Sequence, residues 1–391
     1  MSFQSFFSAS RPRRSALLVA LLFAFLGTVA HAQQPTATPP PTPPPGEDVI
    51  TVESNLVQLN VGVVDRQGRP ITTLAQNDFV VYEDGVRQTI RSFEPTQSPF
   101  SLVLLLDLSG STLSFRTQLK MAALRFIDSI GAQDRVAIVA FWEQKKYEGK
   151  TLKTFNHVET LADFTSDRKK ILFTIRDNIP NGSGGTNLYE ALRSSLAALS
   201  KEGKRRKAIV VLTDGVDTTV SNEDRAATIS AKTGDEALAA IKPEANSSLN
   251  AVLNAADAQG VTIYPLALPS GDLKRLTAHN RELVAGYPAG EVPDDIQKLS
   301  EPTPQQVAIY TSARARLDQL ANRTGGRLYV INRLEDLARQ YAEVAAEMRT
   351  LYSIAYQSAN SNTRNGKWRE IRIDVSRPDT IARTRPGYYA R

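Results

Sequence analysis

The sequence predicts an α/β fold: a doubly wound, mostly parallel sheet with helices on both faces, inserted in or flanked by a small β-sandwich. Three observations carry this reading. Apolar runs of strand length at residues 102–106, 209–212 and 261–268 suit strands that are covered on both sides. Segments with helical apolar spacing separate them, such as Leu119, Ala122, Ala123, Phe126 and Ile127, and strand–helix alternation implies parallel pairing. Two of the runs lead into carboxylates, Asp107 and Asp214, at the strand ends where open parallel sheets bind ligands.

In chain order, residues 1–32 read as a signal peptide. Arg11, Arg13 and Arg14 precede an apolar stretch at 16–26, and Ala30-His31-Ala32 supplies a small-residue cleavage site. The apolar stretch is short for a membrane span, so no span is expected after cleavage. Residues 33–46 hold seven prolines among Gln, Thr and Ala and read as an extended linker. The expected location is outside the cytoplasm, periplasmic or secreted, in a bacterial setting.

Residues 47–97 form an expected N-terminal β unit. Leu56, Leu59, Val61 and Val63 lie in one strand-like run, 79–82 is a second, and Glu83-Asp84-Gly85 is a hairpin signal before a third run at 86–93. Fifty residues make a thin core alone. The C-terminal segment 351–391 alternates in the same way, with Ile371, Ile373 and Val375 on one face and a last strand expected at 381–389. Both ends are therefore expected to complete one sandwich, with the α/β domain at 98–350 inserted between them.

Within that domain the pattern predicts helices over 116–130, 168–178, 188–199, 249–259, 314–323 and 334–351, and an edge strand at 151–156. Ser166-Asp167 supplies a helix cap. Residues 216–247 are polar and weakly patterned, with one short helix near 235–241. Residues 269–310 read as a long, Pro-rich insertion on the side where the strands end.

The candidate site combines three loops. Asp107, Ser109 and Ser111 place three oxygen-bearing side chains on one short turn. Thr186 follows Gly184-Gly185 at the start of a helix, and Asp214 ends a second strand. Oxygen ligands with few carboxylates suit a hard divalent ion such as Mg2+, with Mn2+ or Ca2+ as alternatives.

Together these residues resemble the von Willebrand factor type A domain and its metal-ion-dependent adhesion site. That family's pattern is Asp-x-Ser-x-Ser, a distant Thr and a distant Asp, and all five positions match over a resemblance spanning roughly residues 98–350. The resemblance implies a divalent ion whose vacant coordination position takes an Asp or Glu carboxylate of a partner protein. It also implies that binding is coupled to movement of the last helix, 334–351. The layout, a domain interrupting a sandwich, is similar to that of integrin β chains.

Other readings are a metal-assisted hydrolase and a structural envelope protein with a vestigial metal site. No general base is evident beside the ion, and a Ser–His–Asp nucleophile is poorly supplied by His157 and His279. Asp217 reads as a turn residue, and Trp142 and Trp368 as packing residues. Gly184-Gly185 lacks the following Lys-Ser/Thr of a phosphate loop. Cysteine is absent, which removes disulfides and thiolate sites. Net charge is +6, and taking away the three arginines of the leader leaves +3, too little to suggest a nucleic-acid partner. The cluster at 204–207 reads as solvated cations after a helix.

Overall fold

The computed structural model describes residues 56–203, 205–268, 285, 286, 288, 302–359 and 365–390. Residues 1–55, which include the segments expected as leader and linker, and most of the 269–310 segment lie outside the described residues.

The central sheet has six strands. β5 (Phe100–Asp107), β6 (Arg135–Glu148), β7 (Thr151–Thr165), β8 (Arg206–Thr213), β9 (Val261–Ala267) and β10 (Tyr329–Val330) lie in the order β10-β9-β8-β5-β6-β7. All neighbours are parallel except β6 and β7. Successive residues of β5 feed opposite faces. Leu102, Leu104 and Leu106 join one core, and Val103 and Leu105 the other, which is why this strand is an unbroken apolar run.

Helices cover both faces. α1 (Arg116–Ser129), α2 (Arg168–Asp177) and α8 (Leu337–Arg349) pack on the first. The second is covered by α3 (Leu188–Leu199), α4 (Thr218–Ala227), α6 (Ser247–Gln259) and α7 (Pro304–Thr324), while α5 (Gly234–Ala240) packs beside α7. Asp167 caps α2 by accepting from Lys169 and Lys170 N–H groups at 3.0 and 3.2 Å.

Four strands from the start of the chain and four from its end form two antiparallel sheets, sharing the core of Leu59, Val61, Val81, Tyr352 and Ile354. β1 (Leu56–Asp65), β4 (Ile90–Glu94), β11 (Leu351–Gln357) and β13 (Thr380–Arg383) lie in the order β13-β1-β11-β4. The second sheet, β14-β12-β2-β3, contains β2 (Phe79–Glu83), β3 (Val86–Gln88), β12 (Trp368–Val375) and β14 (Gly387–Tyr389). The two-residue turn at Asp84 and Gly85 has φ of 49° and 78°, as a tight hairpin requires. Glu83 is buried and accepts from the hydroxyls of Tyr356 (2.7 Å), Ser358 (2.5 Å) and Tyr388 (3.0 Å). It is a polar centre inside the sandwich that the turn reading does not anticipate.

Several elements differ from the sequence reading. The single strand expected at 86–93 is two strands: the chain breaks at Thr89 and passes from one sheet to the other, a sandwich corner. The last strand is likewise two, divided around Pro386, and β13 and β14 fall in different sheets. The edge strand β7 runs to Thr165 rather than stopping at 156, because β6 pairs with it along its whole length. α7 begins at Pro304, inside the expected insertion, with a Thr303–Gln306 capping box. α4 was hidden by its polar sequence and is started by Asp217. The last helix is shorter than expected, since Leu351 already pairs with Gly62 in the sandwich.

The basic cluster is also different. Arg206 is buried at the start of β8 and donates to the carbonyls of Ser98, Met348 (3.3 Å) and Leu351 (2.7 Å). It binds the two chain crossings between sandwich and α/β domain instead of facing water. Among the described residues, no helix is long and apolar enough to cross a membrane.

Candidate metal centre

β5 and β8 are neighbours in register, so their carboxyl ends emerge side by side. Asp107 terminates β5 with 0% exposure. Its Oδ1 accepts from the Ser109 N–H at 2.9 Å, and its Oδ2 from the Thr213 hydroxyl at 2.7 Å. Burial pushes its carboxyl up to about 7, with the nearby Asp214 charge acting in the same direction. Asp214 is also buried, and its Oδ1 accepts from Val216 N–H at 3.1 Å.

The Asp107 loop closes into a 3-10 turn. Ser109 and Ser111 hydroxyls are 3.1 Å apart, the first buried and the second exposed. Thr112 Oγ1 donates to the carbonyls of Asp107 (3.0 Å) and Ser109 (2.9 Å), holding the turn from below.

Three contacts lace the Thr186 loop to the others. Gly110 N–H donates to Gly184 O at 2.8 Å. Thr186 N–H donates to Thr218 Oγ1, and Thr218 N–H returns a bond to Thr186 O, both at 2.8 Å. Gly184, at φ 97°, lies where a Cβ would sit 2.3 Å from Glu143 O, so no larger residue fits. The structure thus brings the Asp107–Ser111 turn, the Thr186 loop and the Asp214 strand end together at one edge of the sheet.

Several supporting residues were not anticipated from sequence. Arg116, opening α1, donates to Leu108 O at 2.7 Å and to Gly182 O, and its positive charge interacts with Asp107. Thr213 is the last residue of β8 and Thr218 the first of α4. A hydroxyl directly beside Asp214 and another beside Asp217 were the available signals. Tyr310 in α7 is pushed up by burial and then by the Asp214 charge, which sets that helix beside the second carboxylate. Asp217 is a structural cap, accepting from Val220 N–H (3.1 Å) and Tyr189 N–H (3.3 Å) and so joining the starts of α4 and α3. Trp142 is buried and stacks on His157 with ring centres 4.6 Å apart. His279 lies outside the described residues.

Among the described residues, no group of three or more His, Cys, Asp or Glu side chains is gathered to hold a metal. A divalent ion at this edge therefore fits only through two carboxylates plus neutral hydroxyls. The mutual repulsion of the buried Asp107 and Asp214 is an electrostatic reason for a cation there.

This architecture defines a class: a doubly wound α/β domain with an oxygen-rich site at the carboxyl edge of its sheet. Residues 102–216 match the family model of the von Willebrand factor type A domain, and the chain carries such a domain. Members of this family often bind partners through metal sites and are typically binding modules. Solved structures similar to the chain include an aerotolerance-related membrane protein from Bacteroides fragilis, at 12% identity and TM-score 0.36, covering 63% of this chain and 99% of that one. A von Willebrand factor type A protein from Catenulispora acidiphila is 14% identical at TM-score 0.38, covering 87% and 64%. Proximal thread matrix protein 1 from the mussel byssus, with a zinc-occupied MIDAS motif, is 12% identical at TM-score 0.37, covering 67% and 49%. No curated protein matches the chain.

Proposed function

We propose that the chain is an exported binding module that recognises a carboxylate of a partner protein through a divalent ion held by Asp107, Ser109, Ser111, Thr186 and Asp214. Mg2+ is the first choice, with Mn2+ or Ca2+ as substitutes. The observation that carries this reading is the meeting of two buried carboxylates, Asp107 and Asp214, with the paired Ser109 and Ser111 hydroxyls and the Thr186 loop at one sheet edge. When bound, the ion would supply a coordination position open to an incoming carboxylate, since the protein's own donors are few and mostly neutral.

The chain's residues do the rest. Thr213 and the Ser109 N–H orient the Asp107 carboxylate, and the paired Thr186–Thr218 bonds fix the third loop. Binding is preferred to hydrolysis because an ion at this site would occupy both carboxylates, Asp107 and Asp214. Neither is left to take a proton from water.

Thermal unfolding in MgCl2 and in EDTA tests the reading. Mg2+ is expected to raise the midpoint of the wild-type chain and to leave Asp107→Ala unmoved. An equal response of both proteins would refute it.

A further inference from the structure

Past Phe141, β6 no longer has β5 beside it and pairs with β7 alone. The seven residues to Glu148 therefore carry a hairpin about 23 Å beyond the carboxyl edge of the sheet, on the side of Asp107. Its root is joined to the Thr186 loop, for Glu143 N–H donates to Gly185 O at 2.8 Å.

Register decides what the hairpin presents. Glu143 opposes Asn156, Lys145 opposes Thr154, and Tyr147 opposes Leu152. Directly opposed residues share a face and alternate pairs return to it, so these three pairs form one continuous surface. It borders a trough of about 520 Å³ whose far wall is Thr218, Thr219 and Asn222 at the start of α4. Thr218 is the residue bonded to Thr186, so the trough begins at the ion loops.

The arm is basic on balance. Lys145, Lys146, Lys150 and Lys153 stand against two acids, the buried Glu143 and Glu148, which pairs with Lys153. Lys145 lies on this face and Lys150 in the turn, while Lys146 and Lys153 oppose each other on the other face. Tyr147 is 73% and Leu152 50% exposed at the tip, an apolar pair in water of the kind that marks a contact surface. At the inner end, Glu143 is buried against Thr218 and closes the foot of the trough.

We propose that the hairpin and the trough at its foot dock an acidic, extended segment of the same partner protein. One acid of the segment reaches the ion site, further acids meet Lys145 and Lys150, and an apolar side chain covers Tyr147 and Leu152. The proposal rests on the metal-dependent reading for its central acid, but the arm is tested separately.

The probe is a phage-displayed random dodecapeptide library, selected on the immobilised full chain in Mg2+ and in EDTA. The expected clones need Mg2+ and carry an Asp or Glu flanked by more acids and a large apolar residue. Peptides made from them should bind the Lys145→Glu/Lys150→Glu variant at least tenfold more weakly while still requiring Mg2+. Tyr147→Ser/Leu152→Ser should weaken them without changing the acid preference. Both variants alter exposed side chains, and matching thermal unfolding midpoints will show that the fold is kept. Binding to the charge variant within twofold of wild type, or selection of no acid-flanked clones, overturns the proposal. Acid-flanked clones that ignore EDTA but lose binding to the charge variant uphold the arm and contradict the metal reading.

Discussion

The Thr213 hydroxyl donates a 2.7 Å hydrogen bond to Asp107 Oδ2, tying the last residue of β8 to the last residue of β5. The same Oγ1 accepts from Gly215 N–H at 3.1 Å, so one side chain sets both the first carboxylate and the turn that carries Asp214. Thr213→Val keeps the shape and removes both bonds. A buried hydrogen bond to a charged group contributes about 1.5–3 kcal/mol, and urea unfolding in EDTA should show a loss of that order. A change below about 0.5 kcal/mol would mean the bond does not hold the loop.

The pH dependence of the metal-free chain follows from Asp107. Its folded-state value is raised to about 7 from 3.8, so its stability contribution is full below the unfolded value and is lost as pH rises through about 7. Glu143, Asp217 and Asp257 are shifted in the same direction, each first by burial. The comparison with Asp107→Asn isolates the site. In EDTA, the wild type should lose midpoint temperature between pH 4 and 7 relative to that variant. Parallel curves would contradict the assignment.

Arg206 supports both connections between the two halves of the molecule by donating to Ser98, Met348 and Leu351 carbonyls. Arg206→Met leaves three acceptors without this donor and should cost at least about 3 kcal/mol, at about 1–3 kcal/mol for each unsatisfied group. Arg206→Lys should restore less than half, because an ammonium lacks the planar fork of donors. Denaturant titration measures both.

Arg323, near the end of α7, lies 4.5 Å from the Trp368 ring centre and 4.8 Å from that of Tyr389, and donates to Asp257 at 2.6 Å. Arg385 also bonds Asp257. Arg323→Ala should shift the Trp368 emission and cost about 1–3 kcal/mol. An unchanged emission spectrum would show that the stack is not maintained in solution.

The α/β core was legible because β5, β8 and β9 are buried on both faces and carry apolar runs through their middles. The five candidate ligands were chosen because Asp107 and Asp214 stand at the ends of apolar strands and Thr186 just before a helix, and the short spacing from Asp107 to Ser111 is visible without a fold. What sequence did not show depends on contacts between distant segments. The breaks at Thr89 and Pro386 are decided by which sheet each half joins. α4 has one large buried apolar residue, Val220, and is defined by the Asp217 cap and the Arg316–Asp224 pair, two bonds of 2.7 Å. Arg206 and Glu83 look like surface residues in a one-dimensional reading. Their partners lie 142 or more residues away for two of the Arg206 bonds, and 273 or more for the Glu83 bonds.

Anomalous diffraction from crystals of the full chain grown with MnCl2, recorded at the manganese edge, addresses the central claim most directly. One peak is expected among Asp107, Ser109, Ser111, Thr186 and Asp214, and none there in crystals of Asp107→Ala. A wild-type map with no peak between the two aspartates, or with manganese bound only elsewhere, would contradict the account.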